Sequence, residues 1–130
     1  MDEFTLSFLE TALFCSIDEQ GLPMNLSLGT ENIDPETLAQ LQADCQKFQE
    51  SREWQDVLKL GNNAYIGSGL LNGLDEQGGH DFFLTRCHDG AGFWDGDWKE
   101  PHAGRLTTLA QTFADIALYV GDDGKVYCGQ

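Results

Sequence analysis

Basic side chains are scarce in this sequence. Seven Lys and Arg stand against 22 Asp and Glu in 130 residues, for a net charge of −15. Such a field repels phosphate backbones and anionic lipid, so direct binding to nucleic acid or to a membrane surface is disfavoured and a protein partner with a basic surface is favoured. The plainer account is that the charge keeps a small protein soluble. No apolar run approaches the roughly 20 residues a membrane helix needs. The start, Met1-Asp2-Glu3-Phe4, also lacks the cationic beginning of a secretory signal, and a cytoplasmic protein is expected. Cys15, Cys45, Cys87 and Cys128 contain no C-x-x-C pair, which argues against a zinc ribbon or a thioredoxin-type motif and for partly buried thiols outside any disulfide. No internal repeat marks a solenoid.

What is present is enough apolar and aromatic material for a core, 41% and 11% of the residues, so the acidity does not imply disorder. The length suits one domain. Residues 4–17 carry Leu6, Leu9, Leu13 and Ile17 at helical spacing, widened by Phe4 and Phe8. Loop composition follows, with a weak alternation at residues 22–28. Asp34-Pro35 is a strong helix start, a side-chain acceptor followed by a proline at the position where its missing donor costs nothing. Leu38, Leu41, Cys45 and Phe48 form one face of that helix, and the phase slip to Trp54 and Val57 predicts a bend or restart near Ser51 and a stop at Gly61.

Residues 61–79 are glycine-rich, without a basic residue, and read as a long loop or insertion. Gly67-Ser68-Gly69 lacks both the G-x-G-x-x-G spacing and a G-K-[ST] ending, so a phosphate cradle is not expected. Residues 81–87 and 91–95 read as two strands joined through Asp89-Gly90, a hairpin-turn dipeptide. A third helix is predicted over residues 102–117. A second hairpin follows, with Leu118-Tyr119-Val120 and Val126-Tyr127-Cys128 around Gly121-Asp122-Asp123-Gly124. The predicted class is α+β, order α-α-β-β-α-β-β, a single acidic domain over residues 1–130 whose antiparallel sheet is covered by helices on one face.

Gly79-His80-Asp81-Phe82, Leu84-Thr85-Arg86, Gly90-Ala91-Gly92-Phe93-Trp94-Asp95 and Leu118-Tyr119-Val120-Gly121-Asp122-Asp123-Gly124 resemble a widespread group of small uncharacterised proteins encoded by bacteriophages and prophages. Residues 34–45 are similar to the group's D-P-E-T-L second helix, so the resemblance covers most of the chain. It implies a bacterial host-cell context and no particular activity. The group's T-R-N-G-H-G-A-G-F-W-D pattern differs here: Cys87, His88 and Asp89 stand where Asn, Gly and His are expected, which displaces the histidine by one residue to His88. The stretch between Trp54 and Gly79 is longer than usual for the group.

The densest functional composition lies in residues 80–98. A Cys87 thiolate beside His88 would need the histidine already in the turn, since adjacent strand residues face opposite ways. A structural thiol is the simpler account. His80, Asp81, His88, Asp89, Asp95 and Asp97 are acceptable ligands for a divalent metal, His80 and Asp95 foremost, yet no H-x-x-x-H, H-E-x-x-H or EF-hand spacing fixes a geometry. Arg86 is expected to clamp Asp81, Asp95 or Asp97 across the hairpin. An exposed Trp94 or Trp98 would mark a recognition surface.

No catalytic residue, cofactor or metal is assigned outright. The leading expectation is a non-enzymatic acidic interaction protein that binds a host or phage protein through His80, Asp81, Arg86, Trp94, Asp95, Asp97 and Trp98. A sharper form is a mimic of nucleic-acid charge. The alternatives are a small metal-dependent enzyme built on His80, Asp81 and Asp95, and a structural homodimer.

Overall fold

The computed structural model describes residues 1–67, 70, 72–88 and 91–129. Three helices begin on the side-chain caps that their sequences supply. α1, Glu3–Cys15, starts at Asp2, whose carboxylate accepts the Thr5 N–H at 2.7 Å. α2, Pro35–Gln49, starts at Asp34, which accepts the Thr37 N–H at 3.1 Å, with Pro35 in the first turn. Ser51 then restarts the chain as α3, Arg52–Leu60, its hydroxyl accepting the Trp54 N–H at 3.1 Å. Gly61, at φ 65°, ends α3 in a conformation that costs glycine nothing.

The next helix was not expected. Leu74–Arg86 forms α4, so the glycine-rich loop ends at Gly73 and the predicted strand over residues 81–87 is helical instead. The Asp89-Gly90 turn lies outside the described residues, and residues 91–98 run as turns and bends before the Tyr65–Trp98 bridge. The physical reason is burial. Gln77, Gly78, Gly79 and every residue from Asp81 to Arg86 are buried, so most of α4 is covered and it shows no amphipathic period. Phe82-Phe83-Leu84 is then a short apolar run that periodicity cannot separate from a strand.

The glycines explain how α4 fits. A Cβ on Gly79 would overlap the carbonyl oxygen of Phe4, and one on Gly78 would overlap the Trp54 ring. They allow α4 to lie directly on the α1 backbone, where Ser7 Oγ donates to the Glu76 carbonyl at 2.6 Å. Glycine here is a packing residue rather than a loop marker.

α5, His102–Ala110, ends earlier than the predicted residue 117. It is tied to α3 by the Arg105–Asp56 ion pair at 2.9 Å. The second hairpin is present: β1, Ala117–Val120, pairs antiparallel with β2, Val126–Gly129, and Leu118 faces Cys128. The fold is α+β and mostly helical. Its two-stranded sheet sits at the side, anchored by the Asp34 N–H to Val126 carbonyl bond, instead of forming a layer beneath the helices.

The centre of the molecule is an aromatic cluster. Phe48 stacks on Phe82 at 4.3 Å and lies nearly parallel to Phe93 at 5.7 Å; Trp54 and Phe93 both meet Trp98 edge-on. Each such side chain contributes about 1.5–3 kcal/mol by leaving water. Cys45 lies in this core and burial pushes its thiol up to about 12, while Cys15 is exposed and Cys87 and Cys128 are half-buried; none of the four is in a disulfide. No helix among the described residues is long and apolar enough to cross a membrane.

Candidate functional site

The helical form of residues 74–86 redistributes the expected site. Asp81, on α4, is buried at 2% exposure and is fully engaged. Trp98 Nε1–H donates to its Oδ2 at 2.6 Å, and Gln77 Nε2 donates to Oδ1 at 3.2 Å. His80 Nδ1 approaches the same Oδ1 at 2.8 Å from a half-exposed ring. These donors replace the water a buried carboxylate would otherwise need. They also tie the loop carrying Trp98 down onto α4.

Arg86 does not clamp Asp81, Asp95 or Asp97. It points to the opposite side of α4, where Nη2 pairs with Asp44 of α2 at 2.8 Å and Nε donates to the Ala114 carbonyl at 2.6 Å. Its guanidinium lies 5.5–5.9 Å from the ring centres of Phe8, Phe82 and Phe113. Arg86 is therefore a core tie between α2, α4 and the segment before β1. Asp44, on the polar side of α2 in sequence, was the partner that only the folded chain supplies.

The acidic side of the expected site does converge, around a residue that was not expected. Tyr65 bridges to Trp98, and its ring meets the Trp98 indole edge-on at 5.2 Å. The Ile66 and Gly67 N–H groups both donate to the Asp97 carbonyl, at 2.7 and 3.0 Å, and a Cβ on Gly67 would overlap the Asp97 carboxylate. Burial, then the charges of Asp97, Asp81 and Asp95, push the Tyr65 phenol up to about 12. Partial desolvation, and next the Asp97 charge, raise the Asp95 carboxyl above its usual range. Tyr65 carried a faint signal, an aromatic inside a glycine-rich stretch.

The two tryptophans divide. Trp98 is buried at 1% exposure, whereas Trp94 is 54% exposed and stands beside Asp95 on the outside of the same turn. Ile66, at 64% exposure, is joined to this surface through Asp97. His88, at φ 56°, approaches Asp115 at 3.5 Å with both side chains exposed, and Cys87 Sγ lies 3.7 Å from the Ile116 carbonyl. Among the described residues no three His, Cys, Asp or Glu side chains converge into a metal-holding group. The arrangement gives a buried polar lock, Asp81 with Trp98, close in the chain to the exposed Trp94 and Asp95 and the half-buried Asp97. No protein family, curated protein or solved structure matches this chain.

Proposed function

We propose that the protein is a phage or prophage accessory protein acting in the bacterial cytoplasm, an acidic interaction protein that binds a basic surface on a host or phage protein. The binding centre is Trp94 with Asp95 and Asp97. The observation that carries this reading is the exposed indole next in sequence to Asp95, whose ionisation is opposed by partial desolvation and then by the Asp97 carboxylate. A Lys or Arg from a partner relieves that repulsion, and the indole offers a large rigid contact to the same cation's stem. The net charge of −15 speeds encounter with a basic partner and excludes acidic ones. The metal-enzyme alternative through His80, Asp81 and Asp95 has less support, because Asp81 already serves Trp98 and Gln77.

The test is capture of basic proteins from bacterial lysate by wild type and by Trp94→Ala, at low and at high salt. The expected outcome is a salt-sensitive partner whose affinity falls about thirtyfold in the variant, the scale of a 2 kcal/mol hot spot. A partner that the variant holds equally well removes Trp94 from the centre. Competition by duplex DNA for the captured partner would mark charge mimicry.

A further inference from the structure

We infer that a second face of the molecule, the trough between α1 and the tip of the β1–β2 hairpin, docks a basic amphipathic segment of a protein partner. Two grooves of about 360 and 410 Å³ lie along it and share Leu28 as a common floor residue. Leu13 continues the floor in the first and Val120 in the second. The walls are acidic: Glu10 and Glu31 in the first groove, Asp18, Glu19 and Asp122 in the second, with no cation among the described residues that line either. Outside the two linings, Phe14 is 64% and Leu26 69% exposed. Phe14 stands one helical turn beyond Glu10 on α1, and Leu26 lies between Asn25 of one groove and Ser27 of the other.

Leu13, Leu28 and Val120 between carboxylate walls, with Phe14 and Leu26 exposed on neighbouring positions of the chain, suit one kind of occupant, a segment with apolar side chains on one face and Lys or Arg flanking them. The chain around the trough has the same bias. Residues 1–46 hold nine Asp and Glu and no Lys, Arg or His. A second copy is disfavoured, because it would set one acidic trough against another acid surface, and like charges across an interface cost several kcal/mol. An anionic membrane is repelled for the same reason. This surface shares with the Trp94 reading only the sign of the charge, and it contains none of that site's residues.

The probe is an 18-residue amphipathic helical peptide of Leu and Lys, with binding to the full chain read by fluorescence anisotropy. Phe14→Ser with Leu26→Ser is expected to weaken it at least about tenfold, since both side chains would form the apolar contact, while Trp94→Ala changes it less than about twofold. Both replaced side chains are largely exposed, so circular dichroism and Tm should match wild type. Glu10→Gln with Glu31→Gln is expected to weaken binding about threefold to tenfold and to flatten its salt dependence. The inference is overturned if the double apolar variant binds as wild type does, or if a Lys and Ser peptide of equal charge binds as tightly. Loss through Trp94→Ala instead, or a wild-type dimer in light scattering that Phe14→Ser with Leu26→Ser dissolves, would also overturn it. Failure of the Trp94 capture experiment leaves these readouts unchanged.

Discussion

Asp81 and Asp95 are the same residue type, a short way apart along the chain, and they do opposite work. Asp81 is buried with donors from Trp98 and Gln77 and the His80 ring beside it. Asp95 is exposed, and partial desolvation and Asp97 oppose its charge. A carboxylate whose donors are all inside the protein is part of the fold. One whose charge is opposed by partial desolvation and then by a neighbouring carboxylate is favoured by a cation brought from outside. The contrast separates structure from recognition within one stretch of sequence.

The comparison breaks most sharply at Asp81. Replacing it with Ala leaves the Trp98 donor buried and unpaired and takes one acceptor from Gln77, and a loss of about 3–5 kcal/mol is expected in urea unfolding. Gly79→Ala attacks the platform on which Asp81 stands. Ala favours a helix by about 1 kcal/mol over Gly, but the added methyl meets the Phe4 backbone, so overpacking wins and a net loss of about 1–3 kcal/mol is expected by the same measurement. Trp98→Phe keeps one aromatic ring in the core but removes the donor to Asp81 and part of the buried indole, for about 1–3 kcal/mol. A loss that small from Trp98→Phe and that large from Asp81→Ala would assign the lock to the carboxylate.

Asp95→Asn gives the smallest change and the opposite sign. A carboxyl whose folded pKa lies above its unfolded value binds its proton more readily when folded, so wild type gains stability as pH falls through that raised value towards 3.8. Asn lacks the charge at every pH. The variant is expected to have a slightly higher Tm at pH 7 and to lose that advantage as the pH approaches 4, read from Tm across a pH series. A constant difference would mean that Asp95 does not oppose its own ionisation.

Some elements were legible because their signals are local. Asp34-Pro35, Ser51 and Gly61 mark helix ends through contacts to residues a turn away, and each is where it was expected. Gly121-Asp122-Asp123-Gly124 turns the β1–β2 hairpin through its own backbone, with Gly124 at φ 80°. α4 was illegible for the complementary reason. Its acidic first turn, Asp75 and Glu76, and Arg86 in its last turn fit a helix dipole, yet the glycines and the unbroken apolar run outweighed them. The candidate site divides in the same way. Trp94, Asp95 and Asp97 could be picked out by type, whereas Tyr65 could not, because nothing near it in sequence points to Asp97 or Trp98.

Composition and short-range pattern determined the acidic character, the α+β class, the starts of α2 and α3 and the terminal hairpin, since caps, turns and net charge depend on neighbours along the chain. Tertiary structure alone decided that residues 74–86 are a helix buried over most of its surface, that Arg86 serves Asp44 rather than the acids around Trp94, and that Asp81 holds Trp98. Those outcomes rest on contacts between distant segments, as in the 42 residues that separate Asp44 from Arg86. There the energy of burial and pairing exceeds the weak local preference of the chain.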